Sequence, residues 1–222
     1  MQYLYHNQAG QSTLLLQGDD HRYLFKVRRH RQGESIALRN LQDEMLYWYR
    51  IETLTKRDAM LMLHGQEHRV VKSPKKLHLG WCVIDPKKIE RVLPTLNEMG
   101  VEAITFIYCA RSQKQFKIDL VRLEKILLNS SQQSGRSTLM KLAVVENLQG
   151  FLDQYPESVM LNFSDISLDE KQEVSVVLVG SEGGFTPQEE ALVNGEQVVG
   201  LATPLILRSE SAVCAVSAKV LL

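Results

Sequence analysis

Along the first third of the chain the apolar residues come in short stretches separated by turn-rich pieces: Ser35 to Leu38, Met45 to Ile51 and Ala59 to Leu63. Stretches of that length and spacing predict strands, and several in succession predict a small β-barrel. The rhythm changes at about residue 72, beyond which apolar runs alternate with amphipathic ones. The runs Leu77 to Ile84, Val101 to Cys109, Val159 to Phe163, Val174 to Val179 and Val198 to Ala202 predict further strands. Helices are expected over Pro86 to Met99, closed by Gly100, over Asp119 to Gln132, and from Ala212 to the end. Such alternation predicts an α/β domain with a mostly parallel sheet and helices on both faces. Val71 to Lys76, with Ser73-Pro74 at its centre, is the expected linker. Two domains follow, 1–72 and 73–222.

Composition adds bounds. The 222 residues are 44% hydrophobic, enough for a core. No apolar run reaches membrane-spanning length and no secretion signal opens the chain, so the cytoplasm is the expected location. Cys82, Cys109 and Cys214 stand singly inside apolar runs, which favours reduced core thiols over bridges or metal ligands. Gly65 between His64 and His68 points to a hairpin tip there, and no metal site is expected. The formal charge of zero conceals an asymmetry: residues 1–76 hold 13 Lys/Arg and 8 Asp/Glu, and residues 77–222 hold 13 and 18. The basic part should face a polyanion. Arg22, Lys26, Arg28, Arg29 and Arg31, interleaved with Tyr23 and Phe25, are the candidate RNA contacts. The alternative is a solvated charged strand with ordinary aromatic packing.

Two segments carry candidate chemistry. The run Val176 to Val179 empties into Gly180-Ser181-Glu182-Gly183-Gly184-Phe185, followed by Thr186-Pro187-Gln188-Glu189. Glycines let a backbone approach a ligand closely, and Thr186, Pro187 and Glu189 have the spacing of a helix cap, first helical position and capping box. The pattern is neither a dinucleotide fingerprint nor a phosphate-binding P-loop. Alone, it fits a structural turn as well as a cofactor loop. About twenty residues on, Leu207-Arg208-Ser209-Glu210-Ser211-Ala212 lodges Arg208 and Glu210 between apolar stretches, where ionised groups are rare unless paired or used. A buried ion pair is the alternative there.

Together the two segments resemble the RsmE family of ribosomal RNA small-subunit uridine-N3 methyltransferases, within the SPOUT (knotted) methyltransferases. That family's G-P-E-G-G-F/L loop stands here as Gly180 to Phe185, and its L-R-T/S-E-T/S-A segment as Leu207 to Ala212. Leu77-His78-Leu79-Gly80, Glu98-Met99-Gly100-Val101, Gln132-Gln133-Ser134-Gly135-Arg136, and His21 through Arg29 to Gly33 resemble further family segments in the same order. Ser181, Gln132, Thr95, Thr203 and Arg28 depart from the pattern. Because Thr203 stands for a glycine, it puts the detail of one cofactor contact in question.

The resemblance implies a SPOUT-type knotted, mostly parallel sheet, a PUA-like N-terminal barrel, a homodimer, S-adenosylmethionine as cofactor, and 16S ribosomal RNA or the assembled small subunit as substrate. It assigns Val179, Gly180, Glu182, Gly183, Gly184, Leu201, Thr203, Ile206, Leu207 and Ser209 to the cofactor. Methyl transfer requires alignment of nucleophile and methyl, and uracil N3 must lose its proton. Glu210 is the first candidate base and Arg208 the group that would stabilise charge on the ring oxygens. Glu182 would bind the ribose or act as the base instead, and Arg136 would hold the target phosphate or base. The last helix, apolar nearly all round, would be covered by a second protomer or by its own core. Two alternatives stay open: an RNA-binding protein with a degenerate, inactive methyltransferase domain, and a nucleotide-using doubly wound enzyme.

Overall fold

The computed structural model describes residues 2–170 and 173–222, and the chain divides into two compact units. The first comprises Met1–Lys72 together with Ser131–Leu139. Its strands β1 (Leu4–Tyr5), β2 (Thr13–Gln17), β3 (Ser35–Arg39), β4 (Met45–Leu54) and β5 (Asp58–His68) form a sheet in the order β1-β3-β4-β5-β2. Only β1 with β3 is parallel among these pairings. Alternation sets the register: Leu14 and Leu16 are buried with Leu38, Tyr49, Ile51 and Leu61, while Leu15 between them faces out.

Two local expectations are corrected in this unit. The stretch from Arg22 to Val27 is a π-helix that continues a short helix, α1 (Gly18–His21), so the charged-strand alternative does not hold for Arg22 and Lys26. Gly65 lies inside β5 opposite Trp48, where the ladder slips between Trp48 and Tyr49. A glycine in a strand marks a bulge here, not a hairpin tip. The expected second domain is also discontinuous, because residues 131–139 belong to the first unit. There the amide of Gln2 donates to the Gln132 carbonyl (2.8 Å), that of Tyr5 to Gln132 Oε1 (2.8 Å), and the Tyr3 hydroxyl to the Arg136 carbonyl (2.9 Å).

The second unit, Ser73–Ser130 and Met140–Leu222, is built on six parallel strands. They are β6 (His78–Cys82), β7 (Ala103–Ile107), β8 (Lys141–Val145), β9 (Val159–Leu161), β10 (Val176–Val179) and β11 (Val198–Val199), in the order β11-β9-β10-β6-β7-β8. Helices α2 (Pro86–Met99), α3 (Leu120–Ser134), α4 (Leu148–Leu152), α5 (Pro187–Glu190) and α6 (Ser209–Leu221) complete the fold. The last residues of α3 pass into the first unit. Asp85 caps α2 by accepting from the Lys87 amide (2.9 Å). Gly100 ends it in the left-handed region at φ 97°. The apolar helix α6 packs against α2 and buries Val213, Val216 and Leu221 in the core with Trp81, Leu93 and Phe106.

Cys82 and Cys109, expected to be separate thiols, are joined as a disulfide with Cα atoms 5.7 Å apart. Crossover α2 returns the chain to lie parallel beside its starting strand, so the ends of β6 and β7 become neighbours. Spacing along the sequence does not reveal that proximity. Cys214 remains a free thiol. No described helix is long and apolar enough to cross a membrane, and among the described residues no group of three or more His, Cys, Asp or Glu could hold a metal.

Replacing Gly100 by alanine should destabilise the fold by roughly 1–3 kcal/mol, the usual cost of holding a side chain in that backbone region. The added Cβ would also lie 2.6 Å from the Ser73 Cβ. A urea midpoint unchanged from wild type would refute this.

Candidate active site

A cavity of 610 Å³ opens over the C-terminal ends of β9, β10 and β11. This is where an open parallel sheet offers strand ends and loops to a ligand. All ten residues expected around a cofactor line it: Val179, Gly180, Glu182, Gly183, Gly184, Leu201, Thr203, Ile206, Leu207 and Ser209. Leu161 to Asp165, following β9, form a third wall that the sequence did not single out.

The glycine-rich loop is held from both ends. At its start, Ser209 donates to the Gly180 carbonyl (2.5 Å) and accepts from the Trp81 indole N–H (2.9 Å), which joins β6, β10 and the first turn of α6 through one buried hydroxyl. At its end, the capping box is present. Glu189 Oε2 accepts from the Thr186 amide (2.9 Å), and the Thr186 hydroxyl accepts from the Glu189 amide (3.2 Å). Gly184 takes a left-handed φ of 69° and donates to the Ser181 carbonyl (3.0 Å). Arg111, which follows β7, donates to the carbonyls of Gly183 (2.5 Å) and Phe185 (2.9 Å).

The second loop, Leu201 to Leu207, lies open. Leu205 and Ile206 are 72% and 79% exposed, as is Phe163 at 79% across the cavity. Thr203 uses its hydroxyl to accept from the Leu205 amide (3.1 Å), so the residue that replaces the family's glycine shapes its own turn.

Arg208 and Glu210 are not the buried pair that the flanking apolar residues suggested. The apolar residues before Arg208 face outward, so the junction lies at a surface and Arg208 itself is exposed. Glu210 is largely buried, with its side chain 17% exposed, and its charge neighbour is Lys88, 3.9 Å away. Lys88 also forms a short ion pair with Glu182, and that hydrogen bond raises its pKa above the ordinary lysine value, with burial opposing. Glu210 Oε2 is buried without a hydrogen-bond partner. Lys88, in the first turn of α2, and Arg111 were missed. Both occupy segments that follow the C-terminal end of a parallel strand, which was the available signal.

The remaining candidates lie in the first unit. Arg22, Lys26, Arg28, Arg29 and Arg31 are all exposed. Arg28 stacks over Tyr23, its Cζ 5.5 Å from the ring centroid, and donates to the Tyr23 hydroxyl (3.1 Å). Tyr23 and Phe25 pack partly against the core of this unit. Arg136 is buried, 7% exposed, in the returning segment.

A cavity over the ends of parallel strands, bounded by a glycine-rich loop and a carboxylate-bearing helix start, places the protein in the class of α/β enzymes that bind a nucleotide-like cofactor. Residues 71–221 match the RNA methyltransferase domain family. Across 216 residues, 96% of each chain, the protein is 36% identical to the ribosomal RNA small subunit methyltransferase E of Helicobacter pylori strain 26695. It therefore belongs to the RNA methyltransferase family, in its ribosomal RNA small subunit methyltransferase E (RsmE) branch. Its fold is similar to that of the Neisseria gonorrhoeae ribosomal RNA small subunit methyltransferase E bound to S-adenosyl methionine, with TM-score 0.83 and 24% identity over 99% of this chain and 96% of that one. A Legionella pneumophila protein in complex with SAM gives TM-score 0.83 at 24% identity, with the same coverage.

Ser209→Ala should leave the buried Trp81 indole N–H without its acceptor and should destabilise the protein by about 1–3 kcal/mol. Urea unfolding followed by tryptophan fluorescence measures it. Wild-type stability would mean that the hydroxyl does not join these elements.

Proposed function

We propose that this protein is an S-adenosylmethionine-dependent methyltransferase that acts on N3 of a uridine in 16S ribosomal RNA, free or within the small subunit, in the cytoplasm. One observation carries the reading: in a chain of this family, the glycine loop and the helix start bearing Glu210 border one cavity. Its 610 Å³ is of the size that holds a drug-sized ligand, and its walls combine glycine backbone, apolar side chains and the Glu182 carboxylate. S-adenosylmethionine, when bound, supplies a methyl group on a sulfonium.

The chain's own groups divide the remaining work. The backbone of Gly180, Gly183 and Gly184 would hold the adenosine against Leu201 to Leu207, and Glu182 the ribose. Glu210 Oε2, buried and without a donor, is suited to take the proton from uracil N3. Arg208, exposed at the start of α6, would set its planar guanidinium against the ring oxygens. Lys88 adds positive charge beside both carboxylates. Arg22, Lys26, Arg28, Arg29 and Arg31 of the first unit would grip RNA phosphates. Arg136 is left with a supporting part, since its burial takes it away from a phosphate grip.

Three further expectations belong to this proposal. The five-stranded sheet of the first unit supports a PUA-like barrel. A Cβ on Gly200 would lie 2.4 Å from the Ser164 carbonyl oxygen, so the chain after β11 passes tightly against the segment after its neighbour β9, an approach compatible with the SPOUT-type knot that the family implies. The exposed Phe163, Leu205 and Ile206 form an apolar surface that a second protomer would cover.

Thermal-shift titration should show stabilisation by S-adenosylmethionine and S-adenosylhomocysteine but not by NAD or ATP. No response to the first two would favour an RNA-binding protein with an inactive domain. With cofactor binding established, Glu210→Gln should lower methyl transfer to small-subunit RNA about a hundredfold while leaving cofactor affinity unchanged. Full activity across pH would make Glu182 the candidate base. Changing Arg28, Arg29 and Arg31 together to alanine should weaken RNA binding and flatten its dependence on salt. An unchanged salt slope would place the RNA surface elsewhere.

A further inference from the structure

The turn after β7 is fastened at several points. Its first residue, Cys109, is bonded to Cys82 at the end of β6. Ser112 closes the turn by donating its amide to the Cys109 carbonyl (3.0 Å) and accepting the Cys109 amide on its hydroxyl (3.2 Å). The Ala110 amide donates to Glu189 Oε1 (2.8 Å), using the carboxylate oxygen that the capping box leaves over. From this platform the Arg111 guanidinium reaches the carbonyls of Gly183 and Phe185, and the Ser181 hydroxyl donates back to the Arg111 carbonyl (3.4 Å).

The consequence is specific to two peptide planes. The plane joining Gly183 to Gly184 is held at its carbonyl by Arg111 and at its N–H by the Ser181 carbonyl. The plane joining Phe185 to Thr186 is held at its carbonyl by Arg111 and at its N–H by Glu189. Gly184, with φ 69°, sits between them. Glycine has more backbone freedom to lose than any other residue, so a loop containing Gly180, Gly183 and Gly184 would be costly for a ligand to order on arrival. Charge-assisted bonds to carbonyls are among the stronger hydrogen bonds. The Arg111 stem also packs against the loop: a Cβ on Gly183 would meet Arg111 Cδ at 3.1 Å, whereas one on Gly184 meets nothing within 4 Å.

We propose that Arg111 is a positioning residue that orders the glycine-rich loop before the cofactor binds, by holding the carbonyls on either side of Gly184. The proposal rests on the methyltransferase reading for the identity of the ligand, but not for the loop geometry. Arg111 is itself exposed, so its loss should loosen the loop without unfolding the protein.

The test compares wild type with Arg111→Ala and Arg111→Met, the latter keeping the apolar stem without the donors. Hydrogen exchange of the amides from 181 to 186, measured without ligand, should be about tenfold or more faster in both variants, at an unchanged urea midpoint. Titration calorimetry should give an S-adenosylmethionine Kd about tenfold higher, equivalent to about 1.4 kcal/mol. The KM for the cofactor should rise likewise, with kcat at saturation and the KM for RNA within about twofold of wild type. Wild-type exchange in both variants overturns the proposal, as does faster exchange with wild-type Kd. Normal behaviour of Arg111→Met alone overturns the hydrogen-bond account in favour of packing. If wild type binds no S-adenosylmethionine, the methyltransferase reading falls and takes the cofactor role of Arg111 with it. That failure is recognisable because the loop amides still respond to the substitutions.

Discussion

The second unit depends on the placement of β10. Val176, Val177, Leu178 and Val179 are all buried, because β10 pairs with β6 on one side and β9 on the other while both faces of the sheet are covered. A strand buried on every side reads as a continuous apolar run, and it fixes its two ends as firmly as anything in the domain. The loop that leaves it therefore starts from a rigid point. Ser209, by bonding both Trp81 and the Gly180 carbonyl, ties that point to the helix carrying Glu210. The distance between the glycine-rich loop and Glu210 is thus set by the core.

Around this rigid frame, the rim is arranged differently. Lys88 stands between Glu182 and Glu210, so two carboxylates that would otherwise repel share one cation. Surface pairs of this kind contribute little to stability; their use here is orientation, since Lys88 limits where Glu182 can point. The open loop from Leu201 to Leu207 has the opposite character, with large apolar side chains in solvent and one self-made turn at Thr203. Rigid backbone on one wall and exposed apolar surface on the other suit a site completed by further contacts.

Local signals were legible in the sequence, and non-local ones were not. The bounds of α2, its Gly100 terminus and the capping box at Thr186 and Glu189 could be read because caps and left-handed glycines act within a few residues. The cavity wall residues could be named because the two loops carry recognisable residue patterns. The disulfide, the wall from Leu161 to Asp165 and the approach of Arg111 to Gly183 arise from chain segments brought together only by strand order. The charged-strand alternative for Arg22 to Val27 fails for another reason. Its mixed aromatic and charged pattern fits a strand, and the π-helix follows from the α-helical turn before it. The buried ion-pair alternative for Arg208 and Glu210 fails because apolar neighbours in sequence are evidence of burial only when they themselves are buried.

The first unit carries a constraint of its own on how the molecule forms. Its β-strands lie within the first 72 residues, yet Tyr3 finds its acceptor at Arg136, a separation of 133 residues. The Tyr5 amide finds Gln132 at a separation of 127. Contacts so distant in sequence form late, because loop closure must come before they contribute stability. During synthesis the strands can pair as soon as they emerge, but the edge at β1 waits until residues 131–139 have been made. The β1 edge of the first unit therefore gains these contacts only after β6, α2, β7 and most of α3 exist, which makes its completion conditional on growth of the second unit.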